Sequence, residues 1–427
     1  MRRGSLLLLL SAGVFAARLA WSLRTPEPPG TDGYYYVVQI ADWSSGLGLH
    51  VPDASWVLRF LGILGLVFEP ILAMKVGAAL LAALVVPAAW LLGRELGRPW
   101  TLALLAAASP TLTHLGGDFP KNLGMAAPWL LFAAGLIGRR WWLAVLGGVL
   151  CASAHRIGAA FVVLGLLGLL AERVERRVLL GGVSLIAVFC LLSWVLPGLL
   201  HPSDLERVHL EPSLPLSWLS LRPTHPLQVL ELLGGWAALI YGLLRERRWI
   251  FLLPLAVCLL VPWKQDELDL GYRLALMTPL LALGLIPRIP APFCLPLLLV
   301  IPVGFDPRQH PPYERYRGLI EGLPERPELL IAHVGINFLY DHETGGEAMA
   351  WAPEPELDRQ RIGRIVWGVR PHEWTGEFTV LDGDYSYVSE ATWEALSEGP
   401  ISEDLAGRIE DGRNPRRVRP AGLTRRR

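Results

Sequence analysis

Long apolar segments alternate with short charged loops over the first 305 residues, and this alternation restricts the chain to a membrane fold. Of the 427 residues, 52% are hydrophobic and only 18% are charged, too few charges to cover the surface of an ordinary soluble protein. Segments suited to a hydrocarbon layer of about 30 Å lie at residues 5–23, 69–93, 99–115, 122–138, 178–199, 227–245, 248–263, 272–287 and 290–304. The pattern predicts a polytopic α-helical membrane protein.

The segment 141–171 is too long for one span and carries His155 and Arg156 near its centre. Arginines flank both of its ends, so a single pass would place one arginine cluster outside the cell, against the usual excess of Lys and Arg in cytoplasmic loops. Two short passes that meet at His155 and Arg156 remove this conflict. We therefore expect about eleven transmembrane helices.

With this count of spans, the loops separate by the kind of charge they carry. Arginine clusters fall on one side of the membrane, at positions 2–3, 94–98, 139–140, 173–177 and 245–248. The other side has the 155–156 junction and the loops at 24–68, 116–121, 200–226 and 264–271. Because arginine-rich loops are usually cytoplasmic, we expect the N-terminus inside and the C-terminal domain external or periplasmic, in the inner membrane of a bacterium.

The composition changes near residue 305 and divides the chain into three regions. The first region is a transmembrane domain at 1–305, with a large first external loop at 24–68. Two stretches of that loop, 34–43 and 56–68, are predicted to be short amphipathic helices in the membrane interface. The other two regions are a small external α+β domain at 306–412, with β-like runs at 328–333, 361–367 and 377–381, and a basic disordered tail at 413–427.

Several classes of function are disfavoured by the sequence. The formal net charge is zero and there is no long basic stripe with interleaved aromatics, which argues against a nucleic-acid partner. The four cysteines all lie in apolar segments and are interpreted as buried hydrophobic residues rather than as a disulfide or metal framework. The chain has no H-E-x-x-H motif, P-loop or nucleophile elbow.

Asp32 is the first candidate for chemistry. It lies just outside the first span, in the run Gly-Thr-Asp-Gly-Tyr-Tyr-Tyr at 30–36. A carboxylate at this depth is beside water and within reach of a lipid headgroup, where it can accept a proton from an acceptor hydroxyl or bind a divalent cation. An Asp-Gly pair also suits a helix N-cap or a turn, so both interpretations stay open.

Asp118 and Lys121 flank Phe-Pro directly before an apolar helix. In a structural interpretation, Asp118 is an N-cap followed by a first-turn proline. In a functional one, Lys121 and the free N–H groups of the helix hold a phosphate, while Asp118 orients a sugar hydroxyl or assists a metal ion.

Two arginines at the external ends of apolar helices are candidates for binding phosphate through bidentate hydrogen bonds. Arg156, with His155 as a hydrogen-bond donor beside it, must either snorkel or find a partner. Arg273 follows Tyr272 at the start of a late span, after an acidic loop whose default interpretation is solvated charge.

These features together resemble the GT-C superfamily of membrane glycosyltransferases: a retained first span, an external loop with Asp32 before a Tyr-rich helix, many spans and a soluble C-terminal domain. The Asp-Gly-Tyr-Tyr run at 32–35 is similar to the Asp-x-Tyr-Tyr start of some members. The adjacent Asp-Glu pair of the protein O-mannosyltransferase branch is absent. The resemblance covers most of residues 1–305 and leaves the branch open.

The resemblance implies that a sugar moves from a polyprenyl-phosphate-linked donor in the lipid bilayer to a glycan, lipid or protein acceptor outside, with inversion at the sugar carbon. Asp32 is then the catalytic base, and Mg²⁺ or Mn²⁺ is a candidate ligand of Asp32 and Asp118. The candidate substrate-binding residues are Asp118, Lys121, His155, Arg156, Tyr272 and Arg273. The alternative is a transporter or flippase-like protein for a lipid-linked or anionic substrate, which predicts broken helices with polar residues near the midplane.

Overall fold

The computed structural model describes residues 3–30, 32–50, 53–171, 226–261, 270–300, 313–332, 334–345, 347–349, 362–367, 379–381 and 385–389. The predicted span 178–199 and the acidic positions 266–269 lie outside the described residues. The chain forms two compact units. A helical unit comprises Met1–Pro26 and Val51–Pro307, and a mixed unit comprises Glu27–His50 and Arg308–Arg427. The first external loop is thus divided between the two units.

Most of the described helices are α-helices. They are α1 (Arg3–Ser22), α2 (Gly33–Ser44), α3 (Trp56–Gly65), α4 (Pro70–Glu95), α5 (Pro99–Ala108), α6 (Pro110–Asp118), α7 (Pro120–Ile137), α8 (Trp141–Ala154), α9 (Arg156–Ala171), α10 (Pro226–Tyr241), α11 (Trp249–Leu260), α12 (Leu270–Ala282), α13 (Tyr313–Glu321) and α14 (Val334–Thr344). A π-helical turn at Gly242–Glu246 follows α10, and a 3-10 helix at Ala291–Val300 follows α12. Helices α2, α13 and α14 belong to the mixed unit and the others to the helical unit.

Proline opens five of these helices, at Pro70, Pro99, Pro110, Pro120 and Pro226. A first-turn proline costs no intrahelical hydrogen bond, because the N–H that it lacks would have no partner inside the helix. Its fixed φ also suits the first turn. The same property ends the preceding helix, so prolines set where the apolar segments break.

The predicted span 99–115 is two helices rather than one. Ser109 is extended, with φ −63° and ψ 114°, and α6 begins directly after it at Pro110. The Ser109 hydroxyl accepts a hydrogen bond from the N–H of Leu112 at 3.2 Å, which caps α6. A Ser-Pro step therefore breaks this segment even though its composition is uniformly apolar.

The segment 141–171 is also two helices, as predicted. α8 ends at Ala154, His155 is extended with φ −159° and ψ 151°, and α9 begins at Arg156. The segment 290–304 differs from its prediction as an α-helix, because the described part is a 3-10 helix of 10 residues with Pro296 inside it. At about 2.0 Å rise per residue it is roughly 20 Å long, shorter than a hydrocarbon layer.

Two described helices are long and apolar enough to cross a bilayer alone, at Gly4–Ser22 and Pro70–Glu95. Six shorter apolar helices of 10–17 residues accompany them, at Trp56–Gly65, Pro99–Ala108, Trp141–Ala154, Arg156–Leu169, Trp249–Leu260 and Arg273–Ala282. The predicted number of eleven spans is therefore not confirmed.

Three of the predicted arginine clusters, at 94–98, 139–140 and 245–248, meet at one end of the helical unit, which we call the arginine end. Arg140 Nη2 lies 3.2 Å from Glu95 Oε1. Arg98 Nη2 and Arg248 Nη1 donate to the same acceptor, the Gly284 carbonyl, at 3.0 and 3.4 Å. These contacts join the segments after α4, α7 and α12 to the segment before α11.

The mixed unit contains a five-stranded sheet in the order β2-β1-β3-β5-β4. Its strands are β1 (Leu329–Ile331), β2 (Glu347–Met349), β3 (Ile362–Trp367), β4 (Thr379–Val380) and β5 (Tyr385–Ser389). β1 pairs in parallel with β2 and β3, whereas β5 is antiparallel to both β3 and β4. All three predicted β-like runs contain strands, at β1, β3 and β4.

Candidate functional site

Asp118 and Lys121 lie on either side of a sharp turn between α6 and α7. Phe119, with φ −136° and ψ 62°, occupies the N-cap position of α7. The interpretation of Asp118 as the N-cap is therefore wrong. Asp118 is the last residue of α6 and pairs with His114 one turn earlier, where Nε2 and Oδ2 are 3.0 Å apart. His114 is buried, so the pair fixes the direction of the Asp118 carboxyl.

Lys121 is held by a residue that the sequence prediction did not include. Its Nζ lies 2.9 Å from Oδ2 of Asp53, in the loop before α3, and both side chains are less than one fifth exposed. The other oxygen of Asp53 accepts the N–H of Ser55 at 2.7 Å. Asp53 thus uses both carboxylate oxygens and connects the start of α3 to the first turn of α7.

The charge state of Asp53 follows from these neighbours. Burial acts to raise the pKa of the Asp53 carboxyl, but the charge and hydrogen bond of Lys121, the N–H of Ser55 and the charge of Arg156 outweigh burial. The pKa of Asp53 is consequently below its usual range. Asp53 is therefore ionised at neutral pH, and Arg156 is close enough to contribute to that.

His155 and Arg156 lie where α8 gives way to α9. The Nδ1 atom of His155 accepts the N–H of Ile157 at 3.1 Å, so His155 caps α9 with its own side chain. Two hydrogen bonds attach α3 to this junction, from Ser55 Oγ to the Ala154 carbonyl at 2.6 Å and from Trp56 Nε1 to the Leu150 carbonyl at 2.8 Å. The structure thus brings Arg156 and Asp53 to the same place.

Arg273 lies in the first turns of α12, with its guanidinium carbon 4.7 Å from the centroid of the Phe119 ring. This cation–π contact places Arg273 beside the α6–α7 turn. Tyr272 precedes it in the same helix, and its side chain lies outside the described residues.

Five charged residues are therefore gathered at one end of the helical unit, which we call the polar end: Asp53, Asp118, Lys121, Arg156 and Arg273. α7 begins here and ends next to Arg140 at the arginine end. Its 18 residues span about 27 Å at 1.5 Å per residue, so the two ends are separated by nearly the thickness of a hydrocarbon layer. Among the described residues of this end, three basic side chains accompany two carboxylates, and basic side chains can bind an anionic ligand.

The carboxylates of the polar end are already engaged with basic side chains, Asp53 with Lys121 and Asp118 with His114. Within the described part of the chain, no group of three or more His, Cys, Asp or Glu residues is arranged to hold a metal ion. We therefore derive no step through Mg²⁺ or Mn²⁺, and the metal dependence of Asp32 and Asp118 stays a prediction.

Asp32 belongs to the mixed unit, at the N-cap position of α2. Its side chain makes no capping hydrogen bond, although its carbonyl accepts the N–H of Tyr36 at 3.3 Å. The turn around it is shaped by Tyr313, whose hydroxyl donates to the carbonyl of Gly30 at 2.7 Å. Gly30 has φ +81°, and a Cβ on Gly33 would lie 2.9 Å from the Tyr313 hydroxyl, so both positions require glycine.

Further contacts attach α2 to the C-terminal part of the mixed unit. Arg317 of α13 pairs with Glu27 at 3.1 Å and with Glu343 at 2.5 Å. His50 lies 2.9 Å from Asp42 and 3.3 Å from Asp341. Asp341 of α14 thus contacts the first loop directly, and Glu343 is joined to it through Arg317. Because Asp32 and the polar end belong to different units, their predicted convergence stays a prediction.

No protein-family model matches the chain, and no curated protein sequence matches it. A search of solved structures finds a similarity to the crystal structure of the oligosaccharyltransferase from Archaeoglobus fulgidus in its apo form. The two chains are 11% identical with a TM-score of 0.46, and the match covers 80% of this chain. It spans 64% of the length of the archaeal chain.

Sequence reasoning missed three residues that shape the candidate site: Asp53, His114 and Tyr313. Two of them had a local signal. Asp53-Ala-Ser55 before an apolar run is a helix-start pattern, and His114 lies four residues before Asp118 on one helix face. Tyr313 had no such signal, because its partner Gly30 is 283 positions away.

Proposed function

We propose that the chain is a membrane glycosyltransferase, which moves a sugar from a polyprenyl-phosphate-linked donor to an acceptor at the polar end. The observation that carries the proposal is the gathering of Asp53, Asp118, Lys121, Arg156 and Arg273 at one end of an apolar helical unit. A polyprenyl-phosphate donor has the matching chemistry, since its hydrocarbon tail lies among apolar helices and its phosphate lies at their ends. The resemblance to the GT-C superfamily points to the same class of donor.

In this proposal the cations of the polar end bind the phosphate that leaves the sugar. Arg156 and Arg273 are suited to it, because a guanidinium makes bidentate hydrogen bonds to phosphate oxygens. Asp53 holds Lys121 at 2.9 Å and fixes its position beside them. Asp118, oriented by His114, accepts a hydrogen bond from a sugar hydroxyl.

The transfer itself breaks the bond between the sugar carbon and the phosphate oxygen and forms a bond to the acceptor oxygen. The electron pair of the broken bond leaves on the phosphate, whose charge the arginines stabilise. The acceptor hydroxyl attacks from the opposite face, which inverts the sugar carbon, and its proton passes to a carboxylate. The resemblance assigns this last role to Asp32.

A transporter or flippase-like protein is the second candidate function. It is favoured by one specific observation, the break between α5 and α6 inside a segment predicted to span the membrane. Discontinuous helices with polar neighbours are the usual substrate-binding elements of transporters.

Reconstitution of the wild-type chain in proteoliposomes decides between the two functions. We expect transfer of sugar from at least one member of a panel of polyprenyl-phosphate-linked and pyrophosphate-linked donors to glycan, lipid or peptide acceptors. Vesicles without protein and vesicles with donor but no acceptor are the controls. Uptake or flipping of the lipid-linked substrate with no new glycosidic bond would contradict the glycosyltransferase and favour the transporter.

The proposal also fixes the orientation in the membrane, since arginine-rich ends of membrane proteins are usually cytoplasmic. A fusion after residue 427 is expected to lie outside, where a phosphatase reporter is active. A fusion at Arg247, between α10 and α11, is expected to lie in the cytoplasm, where a fluorescent-protein reporter is active. Paired reporters that are active on opposite sides, such as phosphatase and green fluorescent protein, measure this. The reverse pattern at both positions would place the polar end in the cytoplasm, away from the predicted external acceptor.

A further inference from the structure

A second polar cluster lies inside the helical unit, around the break between α5 and α6. In a continuous helix the Ala107 carbonyl would accept the N–H of Thr111, but Pro110 and the extended Ser109 prevent this. Backbone groups freed in an apolar interior must find other partners, because an unsatisfied buried amide or carbonyl is costly. The break therefore leaves carbonyls at the end of α5 and N–H groups at the start of α6 that need partners outside the helix backbone.

Arg18 of α1 and Glu231 of α10 supply them. Nη2 of Arg18 donates to the carbonyls of Ala107 at 3.4 Å and Ser109 at 3.0 Å. Oε2 of Glu231 accepts the N–H of Thr111 at 2.9 Å and also the Thr111 hydroxyl. Arg18 thus contacts the carbonyl side of the break, and Glu231 contacts its N–H side.

Stability alone does not explain why Arg18 and Glu231 are buried at this break. The Arg18 side chain is only 5% exposed, and its Nε and Nη1 atoms have no hydrogen-bond partner among the described residues. Replacing a buried ion pair by apolar residues of similar volume is often neutral or stabilising. Ionisable residues within predicted spans more often mark function.

The geometry of α6 connects this pair to the polar end. Thr111, His114 and Asp118 are spaced by three and four residues, so they lie on one face of the helix. Glu231 contacts Thr111 in the first turn of α6. The His114–Asp118 pair lies on the same face, and Asp118 is about 10 Å further along the helix axis than Thr111. A rotation of α6 at the break would therefore move the Asp118 carboxyl.

We infer that Arg18 and Glu231 are positioning residues: together they fix the angle of α6 at its break and so set the position of Asp118 at the polar end. The inference rests on the proposed transferase function for its effect on catalysis. Its structural content, that the charge pair orders α6, is independent of that function.

The first experiment measures transfer kinetics of Glu231→Ala in proteoliposomes. We expect kcat to fall by about 100-fold, because a small misplacement of a group that orients the sugar, here Asp118, can cost about that much. The KM for the donor should stay within about threefold, since the phosphate-binding cations are untouched. Glu231→Gln retains an oxygen that accepts the Thr111 N–H and should recover most of the activity. Glu95→Ala is the matched control, because it breaks an acid–arginine pair at the arginine end, and it should retain most of the transfer activity.

A second pair of variants tests whether Arg18 and Glu231 act together, even if Glu231→Ala folds poorly. Arg18→Met leaves the buried acid Glu231 without the basic residue on the other side of the break, whereas Arg18→Met with Glu231→Gln removes both ionisable groups. The double variant is expected to be more active than Arg18→Met alone. If it is no more active, the two residues do not act as a pair and the inference is wrong.

Amide hydrogen exchange provides a readout that needs no activity. In Glu231→Ala, amides in residues 111–118 should exchange about tenfold faster or more, while those of residues 123–133 in α7 stay unchanged. Unchanged exchange in α6 overturns the positioning role even if activity falls. A wild-type chain that transfers no sugar would instead contradict the proposed function, and faster exchange in α6 would still uphold the ordering of that helix by the pair.

Discussion

Replacement of Asp32 by Asn is expected to leave the protein folded and to lower the rate of sugar transfer by about 10²- to 10⁴-fold, the usual effect of losing a general base. The substitution removes a carboxylate and conserves its volume. Folding should be retained, because the Asp32 side chain makes no capping hydrogen bond to α2 and Asn is an equally good N-cap. Initial rates at saturating donor, together with the melting temperature, measure the two effects separately.

Glu314→Gln is the matched control, since Glu314 is an exposed carboxylate in the first turn of α13 in the same unit. It should retain full turnover. If Asp32→Asn turns over as fast as this control, Asp32 has no part in the chemistry. Retained turnover in Asp32→Asn with a large loss in Asp118→Asn would move the role of base to Asp118, which lies at the polar end beside the candidate phosphate-binding cations.

Features that depend on neighbouring residues were predictable from the sequence. The break at His155 follows from the length of its segment and from the arginines on either side, and α8 and α9 meet there. The two amphipathic stretches of the first loop are the helices α2 and α3. The three β-like runs of the C-terminal region contain strands, as expected for short runs of apolar and β-branched residues in a polar segment.

Proline positions explain where the predictions of the helices failed. The Ser109-Pro110 step was present in the segment 99–115, but its uniform hydrophobicity concealed the break. Asp118 was interpreted as an N-cap because a proline follows two positions later, yet Phe119 takes the cap position. In the segment after residue 290, Pro296 lies inside the helix and lacks the N–H that an α-helix would use, and the described part is a 3-10 helix.

Partners that are distant in the sequence were not predictable. Lys121 was a candidate, but Asp53, which holds it, lies 68 positions earlier. Glu231 was not singled out from the sequence, and its partner Thr111 on α6 lies 120 positions earlier. Local patterns identify a residue that needs a partner, and only tertiary structure identifies the partner.

Arg156→Ala is expected to weaken donor binding by about 10- to 100-fold, because each charge-assisted hydrogen bond to a phosphate is worth about 1.5–3 kcal/mol. Turnover at saturating donor should change much less, since the ground-state contact is lost while the other groups stay in place. The polar end should remain folded, because Asp53 keeps Lys121 at 2.9 Å and the N–H of Ser55 at 2.7 Å. Transfer rates over a range of donor concentrations and direct binding of polyprenyl phosphate measure the effect.

The comparison with a second arginine separates a specific contact from a general loss of charge. Arg139→Ala removes an exposed arginine beside the arginine end and should leave donor affinity unchanged. Arg273→Ala should resemble Arg156→Ala, because its guanidinium lies over Phe119 at the turn that carries Asp118 and Lys121. Equal weakening by Arg139→Ala and Arg156→Ala would show that the donor responds to net charge alone. That result would contradict the assignment of the polar end as the phosphate-binding site, because the assignment depends on which end of the helical unit each arginine occupies.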